Sequence, residues 1–146
     1  MYSFERLIGE HADITVLARS LARTIEGGTD ADTQHAALCA LAGDLADHLA
    51  REDADIYPQL MMSADEGAAS AARDAVAKFE TLAADWTIYV ARWSRDAIHA
   101  NAQGFAEDSA KILARLAARV KIEDDLLYPM ALRAAQITLR EEQIAA

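Results

Sequence analysis

Imidazole and carboxylate side chains interrupt the apolar helical patterns of this 146-residue sequence. His11 lies inside one such pattern, Glu123 inside another, and His48 and Glu52 share a third. His48 and Glu52 are four residues apart, so they lie only about 40° apart around a helix. A buried carboxylate or imidazole is costly unless it is paired or bound to metal, and this donor set suits Fe²⁺ or Zn²⁺. The four residues therefore predict a polar centre that could hold a metal ion.

Four long helical patterns carry these residues. Apolar residues recur at three- and four-residue steps, which is the helical period, and 34 alanines with only 6 Gly and 2 Pro favour helix. Turn signals separate the patterns at residues 27–30, 63–67 and 101–104. Short links between long helices predict an all-α, up-down antiparallel four-helix bundle, with residues 1–146 as a single domain.

An internal repeat divides the chain into two halves. Residues 48–58 and 119–129 share Glu, Asp, Tyr and Pro at an offset of 71. The repeat predicts two related helical hairpins, at about 3–62 and 68–132. Because proline cannot continue the hydrogen-bond ladder of a helix, we interpret the proline in each half as a helix stop.

The levels of the polar residues along the bundle can be compared through the first turn. His11 lies about 17 residues before this turn and His48 about 20 residues after it, so the two stand at nearly one level in an antiparallel pair. His11, His48 and Glu52 are thus predicted to converge, and the repeat places Glu123 opposite them. The remaining histidines are predicted to lie too far along the bundle to join the site: His35 and His99.

Several other residues are interpreted as structural. An aromatic stripe on the third helix is interpreted as core packing: Phe79, Trp86, Tyr89 and Trp93. Two residues that precede the prolines are interpreted as sealing the end of the bundle: Tyr57 and Tyr128. Cys39 is interpreted as a small buried filler. Three acidic residues are interpreted as part of a solvated face: Asp53, Asp124 and Asp125.

The pattern His48-x-x-x-Glu52, followed by Asp and then Ile-Tyr-Pro, with His11 upstream, resembles the hemerythrin-like family of HHE cation-binding domains. The resemblance covers roughly residues 3–132. It implies that each hairpin gives one His from its first helix and a His-x-x-x-Glu pair from its second, which together hold a non-haem di-iron centre. It also implies oxygen carriage or sensing, a response to nitric oxide or redox stress, or repair of iron–sulfur clusters.

The second hairpin departs from the family pattern. Arg119 stands where the resemblance implies His, and either Phe79 or Leu82 stands where it implies another. The residues retained as metal ligands are His11, His48, Glu52 and Glu123. We therefore expect an eroded site that holds at most one Fe or Zn ion rather than a di-iron centre, and a site without metal stays open. An Arg119 guanidinium beside Glu123 would supply the charge of the missing metal.

Charge and missing motifs limit the function. The formal net charge of −10 disfavours nucleic-acid partners, and the sequence shows no membrane span, signal peptide or nucleophile motif. We expect a cytoplasmic, non-enzymatic regulatory or sensor protein that acts in signalling or stress response through another protein, with a homodimer also possible. The alternative is a functional non-haem iron protein that binds oxygen or nitric oxide. A ferritin-like oxidase is rejected because its Glu-x-x-His spacing is missing.

Overall fold

A computed structural model describes residues 4–133, and these residues form helices and turns without any strand. The first two helical rods are α1 (Phe4–Glu26) and α2 (Ala31–Arg51), the latter extended by the π-helical segment π1 (Glu52–Ile56) and by α3 (Tyr57–Met61). The third rod contains α4 (Glu66–Phe79) and α5 (Leu82–Arg92), and the short α6 (Arg95–Ala100) follows. The fourth rod contains α7 (Ala102–Ile122) and π2 (Glu123–Leu127), and it stays helical through residue 133.

The rods pack as an all-α bundle, as predicted. Helix α1 contacts α2 and α7, α4 contacts α3 and α7, and α5 contacts α2 and α7. None of the described helices is long and apolar enough to cross a membrane. The predicted single domain, 1–146, and the first hairpin boundary include residues that lie outside the described range.

Short polar turns fix where the rods begin. Gly28 has a φ of 64°, a conformation that glycine adopts without strain, and the Asp30 side chain then accepts a hydrogen bond from the Thr33 amide at 2.8 Å. Asn101 caps α7 by accepting from the Gly104 amide at 3.0 Å, and a Cβ at Gly104 would clash with the Asn101 side chain. The predicted turns therefore set the antiparallel order of the rods.

The core runs along the facing seams of all four rods. The predicted aromatic stripe is buried there. Leucines dominate the seam of α2, each at most 1% exposed: Leu38, Leu41, Leu45 and Leu49. Since burial of one leucine contributes about 1.5–3 kcal/mol, this seam can accommodate a costly polar centre at its end.

The helix-stop interpretation of the two prolines was wrong. A proline lacks an N–H, and its ring clashes with the carbonyl four residues earlier in a regular α-helix. Each helix avoids this clash by forming a wider π-helical turn before its proline. In these turns the Tyr57 amide donates to the Glu52 carbonyl and the Tyr128 amide to the Glu123 carbonyl, both five residues back. Each rod then continues as helix beyond its proline. The repeat is thus visible as two π segments, each of which begins at a candidate ligand.

The third apolar pattern is not one continuous helix. Helix α4 ends at Phe79 and α5 begins at Leu82, with a turn at Glu80 and Thr81 between them. The Thr81 hydroxyl donates to Asp85 at 2.9 Å. Although Phe79 and Leu82 are both buried, they belong to different helices, so they need not face the same centre.

Candidate metal centre

Five polar side chains meet where the π segments begin. Helix α1 supplies His11, the last turn of α2 supplies His48, and π1 begins with Glu52. From the opposite rod, α7 supplies Arg119 and π2 begins with Glu123. Each of these side chains is at most 3% exposed. The structure thus brings together all four residues predicted as ligands, and it places Arg119 beside them as a fifth polar side chain.

The imidazoles converge on one carboxylate. His48 Nε2 lies 3.0 Å from Glu52 Oε1, and His11 Nε2 lies 3.4 Å from Glu52 Oε2. Potential ligand atoms of these three residues all lie within 4.8 Å of one another. Glu123 borders this group, with its Oε1 atom 3.4 Å from His11 Nε2. The arrangement is a compact set of two imidazoles and one carboxylate, with a second carboxylate beside it.

Unsatisfied atoms show that these residues fit a metal ion. Among the described residues, the buried atoms His11 Nε2, His48 Nε2 and Glu123 Oε1 make no well-aligned hydrogen bond, although both imidazole nitrogens lie within 3.4 Å of Glu52. A buried polar atom without a partner costs about 1–3 kcal/mol. Two imidazoles and a carboxylate hold zinc in hydrolase sites and Fe²⁺ in non-haem sites. One divalent cation held by His11, His48 and Glu52 would satisfy the free imidazole nitrogens.

Asp124 orients one of the two imidazoles. Its Oδ1 atom lies 2.7 Å from His11 Nδ1, so that nitrogen carries the proton and Nε2 is left for a metal. Asp124 is 37% exposed, which agrees in part with its assignment to a solvated face, but one of its oxygens is also engaged by the buried His11, which the sequence did not predict. The repeat held a signal: Asp53, at the equivalent position, contacts Arg119 at 2.9 Å. Both aspartates therefore reach across the bundle.

Arg119 lies between the two glutamates. Its Nη2 atom is 3.4 Å from Glu52 Oε1, and its Nε atom is 3.4 Å from Glu123 Oε2. The same guanidinium contacts Asp53 and lies over the Tyr57 ring, 5.1 Å from the centroid. A buried cation of the protein thus lies beside Glu123, as the sequence predicted, and it contacts Glu52 as well.

The two tyrosines bind the glutamates of the opposite hairpins. The Tyr57 hydroxyl donates to Glu123 Oε2 at 2.8 Å, and the Tyr128 hydroxyl donates to Glu52 Oε2. Tyr128 also stacks on the His11 ring, with centroids 5.4 Å apart. Sequence reasoning assigned both tyrosines to the bundle end and missed this role, although their coincidence in the repeat was the available signal.

The other residues singled out in the sequence lie at separate places in the fold. Phe79 and Arg119 line one cavity of about 190 Å³, whereas Leu82 begins the next helix. Of these two candidates, Phe79 is therefore the one that shares a cavity with Arg119. His35 lies instead beside Cys39, 3.6 Å from its sulfur, and Cys39 is exposed, which overturns its interpretation as a buried filler. His99 is exposed on α6, away from the centre.

Comparison with known proteins gives one result. The family model for the hemerythrin HHE cation binding domain matches residues 3–131. The chain belongs to this family. No curated protein and no solved structure matches it significantly. Hemerythrin HHE domains bind metal ions, and the group of His11, His48 and Glu52 could hold one in this member of the family.

The pKa values of the two buried glutamates at this hemerythrin centre are shifted in opposite directions. Burial and the neighbouring Glu52 carboxylate raise the pKa of the Glu123 carboxyl well above its usual range, which favours its protonated form. Burial opposes ionisation of Glu52 too, but His11 and His48 hold the pKa of its carboxyl well below the usual range. Burial alone would lower the pKa of His11, yet Glu52 and Asp124 outweigh it and raise that pKa.

Metal binding to this centre should tighten as pH rises. A ligating imidazole must be neutral, and His11, whose pKa is raised, has to lose its proton to bind. For each proton released, the apparent Kd for Zn²⁺ should fall about tenfold per pH unit below the pKa of the released group. Calorimetric titrations in two buffers of different ionisation enthalpy measure the number of protons released. Equal heats in both buffers would contradict the expected release.

Replacing Asp124 by asparagine should weaken metal binding about 10–100-fold, because the carboxylate no longer fixes the His11 ring. The neighbouring Asp125 provides the control, since it is 62% exposed and pairs with Lys121 rather than with the centre. The same substitution at Asp125 should leave the Zn²⁺ affinity unchanged. Equal affinities of the two variants would show that Asp124 does not orient His11 for binding.

Proposed function

We propose that this hemerythrin-family chain is a non-enzymatic regulatory or sensor protein that holds one Fe or Zn ion. His11, His48 and Glu52 bind the ion, Glu123 supports it, and Arg119 replaces the second metal. The observation that carries the proposal is the position of the Arg119 guanidinium between Glu52 and Glu123. The bound ion supplies a Lewis-acidic or redox-active cation in the bundle core.

Charge and ligand supply both argue against a second metal. Among the described residues, no imidazole lines the cavity beside Arg119, and Phe79 lines it instead. A second cation there would meet a guanidinium that is only 1% exposed, and displacing a buried charge from its partners is costly. The site thus favours one metal ion together with one fixed protein cation.

Exposed apolar side chains follow the centre in the two rods that supply its glutamates. Glu52 and Glu123 begin the two π segments, and exposed apolar residues follow in the same rods: Met61, Met62, Leu126 and Leu132. Met62 is 85% exposed. A change of charge at the glutamates would act directly on the helical turns that present these side chains. This connection supports an output through contact with another protein, with a second copy of the chain as the alternative partner.

The donor set also favours a second candidate, a functional iron protein that binds oxygen or nitric oxide. Iron sites with two histidines and one carboxylate keep positions open for small ligands. This function would need the chain to retain iron and to bind the gas. The two functions differ in what changes the isolated protein. An oxygen or nitric oxide binder would respond to the gas after iron is bound, whereas a sensor of metal or redox state would respond to the metal alone.

Hydrogen exchange tests the proposed sensor role. Addition of one equivalent of Zn²⁺ or anaerobic Fe²⁺ should slow amide exchange in residues 52–62 and 123–133, which contain both glutamates and the exposed apolar side chains. Helix α6, at the opposite end, serves as an internal reference. Metal binding without any change in these segments would contradict the sensor proposal. A nitrosyl EPR signal from iron-loaded protein would favour the alternative.

A further inference from the structure

A buried metal centre needs a route to solvent, and two cavities border this one. The larger, of about 300 Å³, lies between α1 and α2, and we call it the acidic vestibule. Its acidic lining residues are Glu10, Asp13, Asp44 and Asp47, and His48 lies against it. The smaller cavity, of about 190 Å³, lies on the other side of the centre, beside Arg119.

His48 separates the acidic vestibule from the centre. Its Nε2 atom faces Glu52, at 3.0 Å, while its Nδ1 atom lies 3.6 Å from Glu10 Oε2. The side chain is only 3% exposed, and Nδ1 has no hydrogen-bond partner among the described residues. One imidazole ring therefore has an unsatisfied nitrogen toward the vestibule and another toward the metal centre.

The charges distinguish the two cavities. Two arginines, Arg6 and Arg51, also line the acidic vestibule, so its four carboxylates exceed its cations by two. Such a concentration of negative charge in a cleft attracts cations. The smaller cavity contains Asp53 and Glu80, but the Arg119 guanidinium stands between it and the ligands. A divalent cation would meet repulsion at that inner boundary and attraction at the other.

We propose that the acidic vestibule docks a hydrated divalent cation and is the route by which the metal reaches the centre. The carboxylates hold the cation through its water shell, and the His48 ring is the last group that it passes. The role of the vestibule as a route rests on the proposed one-metal centre, whereas docking in the vestibule can be measured without that centre.

Association kinetics test the route. Stopped-flow mixing with Co²⁺ should give an association rate constant about tenfold lower, and less dependent on salt, for the double variant Asp44→Asn/Asp47→Asn than for the unmodified chain. All substituted residues are exposed, so the fold should persist. The control variant Glu80→Gln/Asp74→Asn removes the same number of negative charges, one within α4 and one directly after it. Its association rate constant for Co²⁺ should equal that of the unmodified chain. Equal slowing in both variants, or in neither, would overturn the route.

Docking is tested by line broadening with Mn²⁺, in the unmodified chain and in His11→Gln, which lacks a centre ligand. Amide signals around Asp44 and Asp47 should broaden in both proteins, and they should not broaden when Asp44→Asn/Asp47→Asn is added to His11→Gln, because neither cation site then remains intact. No broadening in either protein would overturn docking. Broadening in both, with no cobalt bound at the centre of the unmodified chain, would refute the proposed function and the route while leaving docking established.

Discussion

Replacing Arg119 by leucine should lower the free energy of unfolding of the metal-free chain by about 3–5 kcal/mol. The substitution removes the guanidinium that contacts Glu52, Asp53 and Glu123 and leaves the Glu52 carboxylate buried without this partner. For a chain of this length, the loss corresponds to a fall in Tm of about 10–15 °C. Chemical and thermal unfolding followed by circular dichroism measure both quantities.

Arg115 supplies a matched control one turn earlier in α7. Its ion pair with Asp85 joins side chains that are 38% and 41% exposed, and such pairs contribute about 1 kcal/mol or less. Arg115→Leu should therefore change stability little. Zn²⁺ should raise the Tm of Arg119→Leu more than that of the unmodified chain, because a cation then meets uncompensated carboxylates. An unaltered Tm for metal-free Arg119→Leu would refute the idea that Arg119 replaces a metal charge.

The double variant Arg119→His/Phe79→His should bind about two iron ions per chain when it is loaded anaerobically with Fe²⁺. The first substitution removes the buried cation and supplies an imidazole, and the second supplies another from the cavity that Phe79 shares with Arg119. Glu52 and Glu123 already lie on opposite sides of the guanidinium. Exposure to air should then give a visible charge-transfer band, which the parent protein should lack.

Leu82 provides the comparison for this restoration. Sequence reasoning left Phe79 and Leu82 as alternative registers, and the turn at Glu80 and Thr81 separates them into two helices. Arg119→His/Leu82→His should therefore gain less iron than the Phe79 variant, as measured by metal analysis after desalting. If both variants stay helical and neither gains iron, the groups around the ligands have diverged too far for restoration.

The convergence of the centre was predictable because helix geometry is nearly invariant. The rise and rotation per residue place His48 and Glu52 on one face, and the length of the first turn sets their level relative to His11. The need of buried carboxylates for a cation likewise pointed to Arg119. These inferences depend on backbone regularity and burial, which apolar periodicity reports directly.

The contacts of the tyrosines and aspartates were not predictable in the same way. Tyr57, Tyr128 and Asp124 follow the point where the α-helix widens into a π segment, so a rotation of 100° per residue no longer gives their direction. The prolines cause this widening, and they were interpreted as simple stops. The repeat contained the information that both halves share these residues, but only the structure shows that each half contacts the other.

The number of metal ions bound per chain decides whether Arg119 replaces one metal of the centre. Untagged protein is titrated anaerobically with Fe²⁺ and, separately, with Zn²⁺, then desalted and analysed for metal per chain, with His48→Gln as the matched variant. We expect one ion per chain in the unmodified protein and none in His48→Gln. Two ions per chain in the unmodified protein would contradict the replacement of a metal by Arg119, and no bound ion would contradict the metal site itself.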